Sequence, residues 1–151
     1  MTEREAIVAA ARALKGTPYH AHQRTPGVGT DCAGVPILVG RERNYVLPDF
    51  DVNGYTLHPN GQLLMYCRKY LDEKPAIVAN ILPGDIPIVS WGQGDAQHFG
   101  IAAIHPDPAY GGCMSLIHAS NDKRHMAVIE HRLEFTRHMR LVALFSFKGV
   151  A

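Results

Sequence analysis

Three side chains have the types and the setting for chemistry: Cys32, His98 and His118. Cys32 follows the Gly-rich stretch Gly27-Val28-Gly29-Thr30-Asp31 and precedes Ala33-Gly34-Val35-Pro36-Ile37-Leu38-Val39, a run that reads as the start of a helix. The thiolate is the nucleophilic form of cysteine, and a free thiol of pKa about 8.5 is mostly protonated at neutral pH. Unpaired N–H groups and the dipole at a helix N-terminus favour negative charge, so a thiol placed there is expected to ionise more readily. The same N–H groups can donate to the oxyanion formed when sulfur attacks a carbonyl. The plain alternative is that Cys32 is a small buried hydrophobe, the commoner fate of a free cysteine. For Cys67 and Cys113, both inside apolar patterns, burial is the expectation.

A thiol nucleophile needs a base, and histidine has the pKa for it. His98 opens the run Gln97-His98-Phe99-Gly100-Ile101-Ala102, and His118 stands late in Ser115-Leu116-Ile117-His118-Ala119-Ser120. If these runs are consecutive antiparallel strands, an early position in one lies opposite a late position in the next. His118 can then orient His98 through the ring nitrogen not used on the thiol. The other histidines (His20, His22, His58, His105, His125, His131 and His138) stand mostly in loops or beside charges and are expected at the surface. Three cysteines form an odd set with no Cys-x-x-Cys pair, which predicts neither a disulfide framework nor a structural zinc site. No metal and no cofactor is expected.

The elements that must hold these residues follow from pattern. Thr2-Glu3-Arg4-Glu5 has the form of a capping box, and Ile7, Ala10, Ala11 and Leu14 share one helical face. Gly16 stops that helix, and Thr17-Pro18 leads the chain away extended. Pro36 fits a second helix only in its first turn, which puts Cys32 at or next to the N-terminus. Residues 44–62 form a long surface excursion, of the kind that helps shape a groove, before a short helical segment Leu63 to Leu71. Five strands are then expected: Asp85 to Trp91, Gln97 to Ile104, Cys113 to His118, Met126 to Leu133 and Met139 to Phe147. Turn residues separate them, at Gly92-Gln93-Gly94-Asp95, at Pro106-Asp107-Pro108 with Gly111-Gly112, and at Asn121-Asp122-Lys123. Helices first and strands after predicts an α+β domain spanning residues 1–151, with an antiparallel sheet or open barrel.

Five motifs, in order along the chain, resemble those of the NlpC/P60 cysteine peptidases, in particular the short members encoded in phage tail regions. They are Gly16-Thr17-Pro18-Tyr19, Gly29-Thr30-Asp31-Cys32-Ala33-Gly34, Pro83-Gly84-Asp85, His98-Phe99-Gly100-Ile101 and Ile117-His118-Ala119-Ser120. The resemblance implies a papain-like α+β fold, N-terminal helices packed on a small antiparallel sheet. It implies Cys32 as nucleophile, His98 as base and His118 as the residue that orients His98. Tyr19 matches the tyrosine that such proteins place beside the nucleophile to help the oxyanion or substrate, and Asp31 matches a residue that helps hold a substrate's free amine. Ala33 stands where many relatives have Ser and offers no hydroxyl for that amine.

The implied activity is hydrolysis of amide bonds in peptidoglycan stem peptides, at the bond between D-glutamate and the following diamino acid. A non-enzymatic phage tail component that keeps the peptidase fold is the alternative, as is an acyltransferase or deamidase that uses the same Cys-His-His triad through the same thioester. Composition excludes other classes. A net charge of +1 with scattered Lys and Arg predicts no nucleic-acid partner, and no apolar run is long enough to predict a membrane span. Charges stand where a signal peptide would have its apolar stretch, so the expectation is a protein made in the cytoplasm. Phage tail proteins are then the expected partners that carry it to the wall, with the virion tail as its place.

Overall fold

The computed structural model describes residues 1–52, 61–91 and 97–151 and is mixed α+β. Helix α1 (Glu3–Arg12) begins with the expected capping box. The Glu5 N–H donates to Thr2 Oγ1 at 3.1 Å, and the Thr2 N–H donates to Glu5 Oε2 at 2.6 Å. Ile7, Ala11 and Leu14 are buried. Beyond the helix Gly16 takes φ +87°, a conformation open to glycine, and its N–H donates to the Val128 carbonyl at 2.9 Å.

Helix α2 (Gly34–Glu42) starts two residues after Cys32, with Pro36 in its first turn. It is buried almost along its whole length. Helix α3 (Gln62–Tyr70) replaces the expected Leu63–Leu71 with a one-residue shift. Part of the excursion before it packs inward: Tyr45 stacks on Phe147 with ring centroids 4.7 Å apart, and Phe50 meets Tyr70 edge-on at 4.8 Å. The rest of the excursion, residues 53–60 with His58, lies outside the described residues, as does the turn expected at residues 92–95.

The strands are β1 (Arg24–Thr25), β2 (Gly29–Thr30), β3 (Asp72–Lys74), β4 (Ile86–Trp91), β5 (Gln97–Phe99), β6 (Ile101–Ile104), β7 (Met114–Ala119), β8 (Val128–Arg132) and β9 (Met139–Ser146). They form a β1-β2 hairpin, a four-stranded sheet in the order β3-β9-β4-β5 and a three-stranded sheet in the order β6-β7-β8, all antiparallel. The run expected as one strand, Gln97 to Ile104, is divided at Gly100. A Cβ there would collide with the Ile117 carbonyl, so the chain crosses β7 at a distance only glycine allows and passes from one sheet to the next. Strand β3 carries Asp72, Glu73 and Lys74, charges suited to an edge and invisible to an apolar pattern.

Alternation along the strands sorts the two faces. Phe99, Ile101, Ala103, Ile117 and Ala119 join Ile7, Val35 and Val39 of the helices in the main core, while Val89, Leu116, Leu133 and Met139 pack in a second cluster. Asp85 of the Pro-Gly-Asp motif is fully buried. It accepts from Arg4 Nη1 at 2.8 Å, Lys74 Nζ at 2.5 Å and the Leu82 N–H at 2.9 Å, which ties α1 and β3 to the entry of β4. Among the described residues no helix is long and apolar enough to cross a membrane.

Candidate active site

The first two motifs are laid against each other by backbone hydrogen bonds. The Thr30 N–H donates to the Pro18 carbonyl and the His20 N–H to the Thr30 carbonyl, both at 3.0 Å, so Tyr19 and Thr30 run side by side. That pairing carries Tyr19 to the neighbourhood of Cys32. The thiol is close enough that its charge, with that of Asp31, adds to burial in pushing the Tyr19 hydroxyl pKa well up; Arg24 opposes them. Tyr19 is therefore a neutral hydroxyl donor across the working pH range.

Asp31 is fully buried, and its oxygens are taken up by the chain itself. Oδ1 accepts from the Gly34 N–H at 3.0 Å and from Arg24 Nη1 at 2.8 Å, and Oδ2 accepts from the His22 N–H at 2.6 Å. The carboxylate thus satisfies the first N–H of α2 and anchors the hairpin, where the resemblance implies a contact with substrate. Gly34 is required for a similar reason: a Cβ there would collide with Thr30 Oγ1.

Cys32 sits where a helix N-terminus was expected, but its thiol pKa moves the other way, up to about 12. Burial is the largest cause, and the Asp31 carboxylate adds to it. The N–H groups of Ala33 and of Cys32 itself, together with Arg24, pull down and do not win. Helix polarity is a modest effect, and a neighbouring carboxylate in a dry setting outweighs it. In the unliganded chain Cys32 is a neutral thiol. It lines an apolar hollow with Pro36, Ile37, Cys67, Tyr70 and Phe99. Cys67, buried as expected, is likewise pushed up to about 12 by burial and then by Cys32.

The imidazoles gather on the other face of the strands. His98 on β5 lies opposite Val89 of β4, and its ring centroid is 4.9 Å from that of Trp91 and 6.2 Å from that of His118. His118 on β7 is buried, and its pKa is pushed down to about 3 by burial, then by His131 and His98. His118 is therefore neutral at neutral pH. Its Nε2 lies 2.7 Å from His131 Nε2, and His131 Nδ1 lies 2.9 Å from the Arg132 carbonyl oxygen. Trp91, His98, His118, Asp122, His125 and His131 help line a polar hollow of about 430 Å³, a size suited to a small substrate.

The structure thus brings Tyr19, Asp31 and Cys32 together, and brings His98 and His118 together, with Cys32 lining one hollow and the two imidazoles another. The link between them is one residue wide, because Phe99 faces the thiol's hollow while His98 faces the other. His131, expected at the surface, is half-buried and bonded to His118. The signal for it lies in the alternation of the last strands: Ile129 pairs with His118, and His131 is the next residue on that face. Among the described residues no three His, Cys, Asp or Glu side chains converge as ligands for a metal ion. No protein-family model matches the chain, and no curated protein matches it.

Proposed function

We propose that the chain is a cysteine hydrolase of the NlpC/P60 type, with a papain-like arrangement of helices on an antiparallel sheet, acting on amide bonds of peptidoglycan stem peptides. The observation that carries this reading is the setting of Cys32. Its sulfur receives the N–H groups of Cys32 and Ala33 at the head of α2, with the neutral hydroxyl of Tyr19 alongside. Donors of that kind beside the sulfur support a role in stabilising an oxyanion.

In the mechanism His98 removes the Cys32 proton as sulfur attacks the carbonyl carbon. Catalytic hydrogen bonds are often long in unliganded sites and tighten with substrate, which suits a thiol that rests protonated. The N–H groups and Tyr19 stabilise the tetrahedral oxyanion. His98 then gives the proton to the leaving amine, and a thioester remains on Cys32. A water molecule, deprotonated by His98, attacks the thioester, releasing the carboxylic acid and the thiol. His118, held neutral, orients the His98 ring. Asp31 holds the loop and the helix start. The bond between D-glutamate and the diamino acid is the proposed target, and a phage or prophage tail the proposed carrier to the wall.

Incubation with peptidoglycan fragments, followed by mass analysis, tests this. The wild-type chain releases products differing by one water at that bond, and Cys32→Ser does not; equal cleavage by both removes Cys32 from the reaction. A second reading, a tail component that keeps the fold without activity, is favoured by one observation: the thiol is half-buried, neutral and in a different hollow from the imidazoles.

A further inference from the structure

His131 belongs to no motif quoted above, yet its ring makes a 2.7 Å contact with His118 within the histidine cluster. Its two ring nitrogens have different partners. Nδ1 lies 2.9 Å from the Arg132 carbonyl oxygen, which can only accept, so Nδ1 carries a proton. In the neutral ring Nε2 is then bare and accepts. His118 Nε2, 2.7 Å away, must be the donor, because two bare nitrogens or two N–H groups would not sit at that distance. His118 is thereby fixed as the Nε2–H tautomer, and its Nδ1 keeps a free lone pair. That Nδ1 is buried and has no hydrogen-bond partner among the described residues. Its ring neighbours are Trp91 and His98.

We infer that His131 is a positioning residue that sets the tautomer of His118, so that His118 carries its proton on Nε2 and keeps a bare, buried Nδ1 in a ring that neighbours His98. The inference rests on the proposed hydrolase for its consequence, since a residue that orients a catalytic imidazole must accept its N–H. The chain of contacts runs from the Arg132 carbonyl through His131 to His118, and a single backbone carbonyl decides every proton position along it. The groups facing His131 are His118 on β7 and Trp91 on β4, with His98 on β5 and Asp122 and His125 across the hollow.

The test is nitrogen-15 NMR of the histidine rings in the whole chain, paired with hydrolysis kinetics on peptidoglycan fragments. Wild-type His118 is expected to show a protonated Nε2 and a bare Nδ1 at neutral pH. His131→Ala is expected to mix the two tautomers and to lower kcat about 10- to 100-fold with KM little changed, as loss of an outer-shell orienting partner does. His131→Gln, whose side-chain oxygen can accept from His118 and whose amide can donate to Arg132, is expected to restore the tautomer and most of the rate. A wild-type His118 with its proton on Nδ1, or a His131→Ala chain with an unchanged His118 spectrum, overturns the inference. If the wild-type chain hydrolyses nothing, the hydrolase reading fails while the spectra still decide the role of His131.

Discussion

Arg24 and Asp31 form an ion pair at 2.8 Å with side chains only 6% and 0% exposed, next to the proposed nucleophile. Arg24 also reaches Asp51 at 3.2 Å, so the hairpin, the start of α2 and the excursion after α2 meet at one guanidinium. Removing one partner of such a pair strands the other charge out of water. Asp31→Ala is expected to lower the unfolding free energy by about 3–5 kcal/mol, read from urea denaturation at neutral pH. A loss below 1 kcal/mol would mean that the carboxylate is free for another task.

Thiol labelling separates the three cysteines. Cys32 and Cys67 are both pushed up to about 12, so little thiolate is present at neutral pH. Iodoacetamide at pH 7 is expected to modify Cys113, half-buried outside the hollow, before either of them. The labelling rate of Cys32 should keep rising through pH 9 and beyond. Rapid modification of Cys32 at pH 6 would reveal a resting thiolate–imidazolium pair that these surroundings do not support.

Acid should weaken the fold through His118. Its pKa is about 3 when folded, against an ordinary 6.5, so the unfolded chain takes the proton first. The contribution is complete above about pH 6.5 and is lost as pH falls toward 3, at roughly 1.4 kcal/mol per pH unit. Replacing His118 by Asn should shrink the stability difference between pH 7 and pH 5 by about 2 kcal/mol, measured as the change in urea-unfolding free energy. An unchanged difference would place the His118 ring in contact with water.

Gly100 lets the chain pass between sheets against the Ile117 carbonyl. That neighbour is backbone in the middle of β7 and cannot swing aside. Gly100→Ala is expected to cost at least about 1–3 kcal/mol, the usual range for overpacking, and to disturb the His98 and His118 signals in NMR spectra. Gly16→Ala is a useful comparison, since its cost comes from φ alone and nothing lies within 4 Å of its Cβ position.

The parts of this molecule that obey local rules could be read from residues alone. The Thr2–Glu5 capping box, Pro36 in the first turn of α2 and the later strands all follow from spacing and turn chemistry, whereas the first helix ends at Arg12, short of the expected stop at Gly16. The break at Gly100 could not, because it depends on how closely Ile117 approaches from a strand that lies far along the chain. Strand β3 escaped for the opposite reason: three charged residues gain their place from pairing with β9, not from any pattern of their own. In the site, the position of Cys32 beside a helix start was legible, but the sign of its pKa shift was not. Helix polarity is a property of sequence neighbours, whereas burial and the Asp31 carboxylate act through space. His131 was hidden likewise, since a histidine two residues past a cross-strand partner looks like any other histidine until the register is fixed.

The most direct test of Cys32 as nucleophile is to mix the chain with a D-glutamyl–diamino acid stem peptide, quench in acid within the first turnover and measure the intact protein mass. The predicted result is an added mass equal to the acyl half of the peptide, mapped to Cys32 and absent from Cys32→Ser. Cleavage of the peptide at an equal rate by Cys32→Ser, with no adduct on Cys32 of the wild-type chain, would contradict it.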